Sequence, residues 1–269
     1  AYLTSLATLA IGYFVFRKNT RSGIHLSFLT FCASIAQWSF FTALHTMQDD
    51  PAWALLWSRV CHIGALFIPV FFYYFTLKIT GRERRISLTT GFVLAIILIT
   101  VNYTTPLFTQ GVRSDVGFKY FTDASPLYFI LIVFFCYYVL LSLVHLWQEI
   151  HVARGARKKH LQYFFLASVA GFGVGVVNFF PVYWLTFWPY PYSAACGAIY
   201  AFVIAYAILR HKLFDIDVIV KKGLVFAVLF AAVYIAVSSL IFLVGYFSTK
   251  RPLPFLSGVS IALAMLLYE

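Results

Sequence analysis

Charge is what this chain has least of. Only 11% of its 269 residues are Asp, Glu, Lys or Arg, and just 9 of these are acidic. A water-soluble domain needs more polar surface than that, because roughly half of its residues must meet solvent. No Asp or Glu falls within an apolar run, which speaks against a proton- or cation-coupled pump. Cysteine is equally sparse. Cys32, Cys61, Cys136 and Cys196 all sit in apolar runs without paired loop spacing, so they read as free packing residues rather than a disulfide framework or metal site. Histidine pairs at metal-ligand spacing and a Ser–His–acid set are both missing. Gly171-Phe-Gly173-Val-Gly175 lies inside a hydrophobic run with no strand before it, which rules out a nucleotide loop. No catalytic residue, metal or cofactor is expected within this chain.

What is abundant is apolar surface: 62% of residues are hydrophobic and 20% are aromatic. Nine stretches are apolar enough to be read as bilayer spans: 2–16, 25–46, 53–77, 86–103, 127–148, 161–180, 190–209, 223–246 and 254–268. A crossing takes roughly 20 apolar residues, and the first and last runs are short for it. In lipid a helix satisfies its own backbone hydrogen bonds. The expected fold is therefore an all-α, polytopic membrane helix bundle of about nine transmembrane helices. Ala1 opens in mid-run and Glu269 directly follows one, so the chain reads as the membrane portion of a longer protein. Arg17, Lys18 and Arg21 follow the first run as a stop-transfer pattern, unlike a cleavable signal peptide.

Loop charge sets an expected orientation. Alternate loops hold Arg17, Lys18 and Arg21; Lys78, Arg82, Arg84 and Arg85; Arg154, Arg157, Lys158 and Lys159; and Arg210, Lys212, Lys221 and Lys222. That is 15 of the 20 basic residues, and the opposite loops hold only Arg113, Lys119, Lys250 and Arg251. Positive loops stay cytoplasmic, which predicts the N-terminus out and the C-terminus in. The net charge of +11 is topogenic, with some attraction to anionic lipid. These charges are dispersed in short loops and form no basic face, so nucleic acid is not an expected partner.

Two outer segments are distinctive. Residues 104–126 are too short for a folded domain and suit a flap over the bundle. Residues 181–192 form an aromatic cluster, an interfacial anchor or a ligand lid. Ala167, Gly171 and Gly175 recur every fourth residue, as do Ser193, Gly197, Ala201 and Ala205. Small residues at that spacing predict close packing of the sixth and seventh spans.

Polar side chains within spans are expensive and therefore functional candidates. With the helical rise of ~1.5 Å per residue, His45, Arg59, His62, Asn102 and Asn178 fall in outer helix halves, while Gln37 and Trp38 lie nearer mid-span. Arg59 and His62, three apart, share a helix face. The convergence predicts a polar-floored cavity open towards the outside, with Trp38, Arg59, His62, Asn102 and Asn178 as ligand-binding candidates. Each has a simpler alternative. Arg59 reaches headgroups or pairs with Asp49 or Asp50, His62 and Asn178 bond between helices, His45 and Asn102 are solvated, and Trp38 packs. His145, His151, His160 and His211 read as titrating in cytoplasmic headgroup water.

Three segments carry a family likeness: Ala205-Tyr-Ala-Ile-Leu-Arg-His-Lys-Leu-Phe-Asp-Ile-Asp-Val-Ile-Val-Lys-Lys-Gly223, Trp57-Ser-Arg-Val-Cys-His-Ile-Gly-Ala-Leu-Phe-Ile-Pro69 and Asn178-Phe-Phe-Pro181. Together they resemble the seven-helix N-terminal membrane region of bacterial sensor histidine kinases, over roughly residues 1 to 223. The resemblance implies a sensor that signals through its last helices to an autophosphorylating kinase or another output domain. This chain has neither a phosphoacceptor motif nor an ATP-binding domain, and His211 lies at a membrane boundary between Arg210 and Lys212. In the connecting segment, Arg210, Asp215 and Asp217 are candidate transmission residues; an ordinary amphipathic loop is the alternative.

The expected organisation is thus a seven-helix sensor bundle (1–209), a cytoplasmic interfacial connector (210–222), and two further helices (223–269) leading to an output domain beyond the chain. The expected function is the signal-sensing region of a two-component histidine kinase in the bacterial inner membrane. It binds a small amphipathic or hydrophobic signal in the outer half of the bundle. Expected partners are the lipid bilayer, the signal molecule, a second copy in a homodimer, and a response regulator through the kinase. Two rivals remain. A transporter or channel for a small solute would show duplicated halves and broken helices, for which Pro69 is the one candidate break; a structural anchor would give no ligand-dependent output.

Overall fold

The structure is a computed structural model, and it describes residues 1–115, 118–183 and 200–201. All belong to the first of two units into which the chain divides, Ala1–Ile216. The expected spans 223–246 and 254–268, most of 190–209, and the connector 210–222 lie outside the described residues.

Six α-helices follow the apolar runs: α1 (Tyr2–Lys18), α2 (Gly23–Thr46), α3 (Pro51–Thr80), α4 (Arg85–Thr104), α5 (Phe129–Val152) and α6 (Gly155–Gly175). Five stretches among the described residues are long and apolar enough to cross a membrane: Gly23–Thr46, Pro51–Thr80, Arg85–Thr104, Pro126–Val152 and Arg157–Tyr183. At 17 residues, α1 is shorter than the roughly 20 that a crossing takes. Large apolar side chains point outward along the helices, including Val93, Leu94, Ile96 and Ile97 on α4 and Val133, Tyr137, Leu140 and Val144 on α5. An apolar surface that continuous suits contact with lipid tails.

Helix α3 is the central element. Asp50 caps its start by accepting a bond from the Ala52 amide, Pro51 opens its first turn, and Gly81 ends it at φ 68°, a left-handed position open to glycine. Pro69 lies within this helix without ending it, so the break considered from sequence is not made. The ring removes one amide donor, which leaves the Ala65 carbonyl without its intrahelical partner. α2 lies closely along α3 at Gly64, where a Cβ would come within 1.9 Å of Gln37 Oε1 and 2.7 Å of the Ser34 carbonyl. Gln37 Nε2 donates to the Val60 carbonyl across the same seam at 2.8 Å. α1 packs on α2, where Ser5 donates to the Ala36 carbonyl. On the other side, Tyr73, Tyr138 and Ala95 join α3, α4 and α5 in one buried cluster.

The all-α expectation is corrected between α4 and α5, and the fold is mostly helical. Here β1 (Thr109–Asp115) and β2 (Phe118–Ala124) form an antiparallel hairpin, with Val112 opposite Thr122 and Arg113 opposite Phe121. Side-chain links tie it to the helix ends and to the turn at Pro181–Tyr183. Thr122 shares a hydrogen bond with Ser58 at 2.7 Å, and Thr109 donates to Asn102 Oδ1 at 2.9 Å. Arg59 donates to the Tyr103 and Thr109 carbonyls. Arg113 pairs with Asp123 and also donates to the Pro181 and Val182 carbonyls. Lys119 pairs with Asp49 at the surface, and this contact holds the Asp49 carboxyl below the usual carboxylate range.

α6 continues through 3-10 turns at Val176–Phe179 and Pro181–Tyr183. The close approach expected of the small-residue face on α6 is seen at Gly171, where a Cβ would fall 2.6 Å from the Tyr200 ring. Ser168 and Tyr200 share a hydroxyl hydrogen bond there. Of the matching face, only Ala201 lies among the described residues, and it is fully buried. Helix α5 runs past its expected end at 148, so Glu149 is helical and accepts a bond from Arg157 at 2.9 Å. His145, expected in headgroup water, is instead buried against the edge of Tyr73 and donates to the Leu141 carbonyl.

Candidate ligand cavity

A cavity of about 360 Å³ lies between α2, α3, α5 and α6 and under the hairpin. Its walls are chiefly aromatic and aliphatic: Phe31, Ile35, Trp38, Ile68, Phe135 and Phe172. Phe121 and Thr122 of β2 cover one side, and Tyr128, just before α5, closes another. Small-molecule sites commonly enclose roughly 300–1,000 Å³ and place a few polar groups in an apolar wall. No Asp, Glu, Lys or Arg lines this cavity among the described residues.

The polar groups are positioned by helix backbones. His62, on α3, faces the Ser58 carbonyl through Nδ1 at 2.6 Å and Tyr128 Oη through Nε2 at 2.8 Å. A carbonyl only accepts, so Nδ1 carries the proton and Nε2 accepts from the Tyr128 hydroxyl. His45 repeats the arrangement on α2, with Nδ1 on the Phe41 carbonyl at 3.1 Å. Its Nε2 is buried and has no hydrogen-bond partner among the described residues. Thr42 and Thr46 return their hydroxyl protons to carbonyls of α2. Asn178 donates to the Gly175 carbonyl, in the turn that extends α6.

Three of the five ligand candidates meet at this cavity: Trp38, His62 and Asn178 line it. Arg59 and Asn102 do not. Arg59 bridges the Tyr103 carbonyl at the end of α4 and the Thr109 carbonyl of the hairpin, and Asn102 accepts from the Thr109 hydroxyl. Arg59 is not paired with Asp49 or Asp50, which are taken by Lys119 and by the cap of α3. His45 and Asn102, read as solvated at the boundary, are 2% and 1% exposed because the hairpin covers that end. His45 and Tyr128 are cavity residues that the sequence reading did not select. Arg210, Asp215 and Asp217 lie outside the described residues.

Outward apolar helix faces, five potential crossings and an interior cavity define a multi-pass helical membrane protein. The chain belongs to the family described as the N-terminal 7TM region of histidine kinase, whose sequence profile matches residues 1–217. That match covers the resemblance noted in sequence up to Asp217, and it makes this chain the membrane region of a histidine kinase. No curated protein and no solved structure matches the chain.

Proposed function

We propose that this membrane region is a sensor that binds a small apolar or amphipathic molecule in the cavity beneath the hairpin and passes the binding event to a cytoplasmic kinase. The observation that carries this reading is a cavity of about 360 Å³, lined by no Asp, Glu, Lys or Arg among the described residues and walled by four helices that converge on one end of the bundle. Trp38, His62 and Asn178 are its contact residues, with Arg59 and Asn102 positioning the hairpin that covers it. Binding shifts the kinase only if it favours one packing of the bundle over another. Trp38, His62 and Asn178 stand on three different elements, so a ligand touching all three has that differential leverage.

The orientation in this proposal has the hairpin outside and the basic turns inside, following the distribution of Lys and Arg. The full chain crosses nine times, as a seven-helix bundle (1–209), a connector (210–222) and two further helices (223–269). Arg210, Asp215 and Asp217 transmit the change to an output kinase beyond Glu269. A homodimer in the bacterial inner membrane and a response regulator complete the pathway.

Two measurements test the reading. In intact cells, an impermeant maleimide labels a cysteine placed at Ser114 and spares one placed at Lys158; the reverse pattern refutes the orientation. In the full-length kinase, Ala65→Trp fills the cavity and abolishes ligand-dependent autophosphorylation while basal activity persists. An unaltered ligand response in that variant refutes the cavity as the sensing site.

A further inference from the structure

At His45 the cavity offers an unused hydrogen-bond acceptor, and this has consequences for what it can hold. Resting on the sensing role proposed above for this cavity, that acceptor defines the chemical class of its ligand. Four of the donors near His45 are spent on the protein itself: His62 Nδ1–H on Ser58, the Tyr128 hydroxyl on His62, and the Thr42 and Thr46 hydroxyls on α2 carbonyls. Acceptors remain. His45 is tied to the Phe41 carbonyl through Nδ1, so its ring projects Nε2 away from the α2 backbone as a bare lone pair. Ala65 also lines the cavity, and its carbonyl has lost its helical donor to Pro69.

We propose that the cavity selects an uncharged, largely apolar molecule bearing a hydroxyl group, whose proton is accepted by His45 Nε2. A carboxylate brings charge into a cavity that no Lys or Arg side chain lines among the described residues, and it offers only acceptors, so it leaves the histidine unsatisfied. Ethers and ketones likewise supply no donor. Phe121 of β2 lies with its ring centroid 5.8 Å from that of His45, in tilted contact. Nε2 has almost no accessible surface, so a hydroxyl reaches it when the Phe121 ring turns aside. Ligand binding is thereby linked to the position of the strand that carries Phe121.

The test uses the whole chain in lipid nanodiscs, titrated calorimetrically with 1-decanol, decyl methyl ether and decanoate, with empty discs subtracted. One neutral hydrogen bond in an apolar site corresponds to about a tenfold preference. The expected result is saturable decanol binding about tenfold tighter than either of the other two probes. His45→Phe removes the preference and leaves the ether affinity unchanged, whereas His45→Gln, which keeps an acceptor oxygen, retains part of it. If the Phe variant does not fold, the decanol-to-ether comparison in the natural chain decides the matter. Equal or tighter binding of decanoate or of the ether overturns the hydroxyl rule while leaving the cavity as a ligand site. Saturable binding by none of the three overturns both the rule and the cavity reading.

Discussion

Gly64→Ala is the substitution with the most sharply defined cost. Its Cβ would lie 1.9 Å from Gln37 Oε1, 2.7 Å from the Ser34 carbonyl oxygen and 2.7 Å from the Trp38 amide nitrogen. The first neighbour is a side-chain end that can swing away, but doing so breaks its amide's bond to the Val60 carbonyl at 2.8 Å. The other two are backbone atoms of α2 and cannot yield unless the helix itself moves. Overpacking of this kind costs about 1–3 kcal/mol, and the lost hydrogen bond about 1 kcal/mol more. Alanine returns up to about 1 kcal/mol as the better helix former. The net expectation is a loss of about 2 kcal/mol, a factor of roughly 30 in the folding equilibrium. Gly173→Ala is the internal control, since no atom of the described residues lies within 4 Å of a Cβ there. Gly171→Ala falls between the two, because its obstacle is the Tyr200 ring rather than a backbone. Reversible unfolding in mixed micelles, followed by circular dichroism and tryptophan fluorescence, measures all three variants. A Gly64→Ala protein as stable as the Gly173→Ala one would refute the close α2–α3 seam.

Arg113→Ala removes the pair with Asp123 and the two bonds to the Pro181 and Val182 carbonyls. Charge-assisted bonds are worth about 1.5–3 kcal/mol each, so amide exchange in β1 and β2 should rise on the order of 100-fold by mass spectrometry. Arg113→Lys should recover only a fraction of the protection, because one ammonium cannot reproduce a planar fork that reaches three acceptors. The Asp49–Lys119 pair makes the opposite expectation, with the carboxylate side chain 93% exposed. Asp49→Asn should leave the melting temperature at pH 7 essentially unchanged. The Asp49 carboxyl titrates below its ordinary value, so whatever the pair adds is present at neutral pH and disappears as pH falls below the usual carboxylate range.

The helical part of this fold is legible in the sequence because a bilayer crossing is a compositional event. The runs at 25–46, 53–77 and 86–103 become helices that differ from them by only a few residues at either end. The hairpin was harder to read. Thr109–Ala124 mixes two glycines, both charge signs and an imperfect alternation of apolar residues, so period-two patterning is weak there. Missing it shifted the reading of everything beneath it. His45 and Asn102 look solvated only if nothing covers the helix ends, and Arg59 looks available only if the Thr109 carbonyl is absent. The α2–α3 seam was hidden for another reason. It rests on the single glycine at 64 facing Gln37, without the every-fourth-residue stripe that marks α6. Trp38, His62 and Asn178 could be selected because polar or amphipathic groups stand out in an apolar run.

Arg113 fastens the turn after α6 to the hairpin through two carbonyls. A rod held at one tip behaves as a lever. α6 has 21 residues, so at ~1.5 Å of rise each its far end lies about 30 Å from the fastening. A tilt of about 5° at the hairpin would therefore carry the Arg157 end through some 2–3 Å (about two residues of helical rise). Small angular adjustments beside the cavity would then emerge as ångström-scale displacement at the opposite face of the bundle.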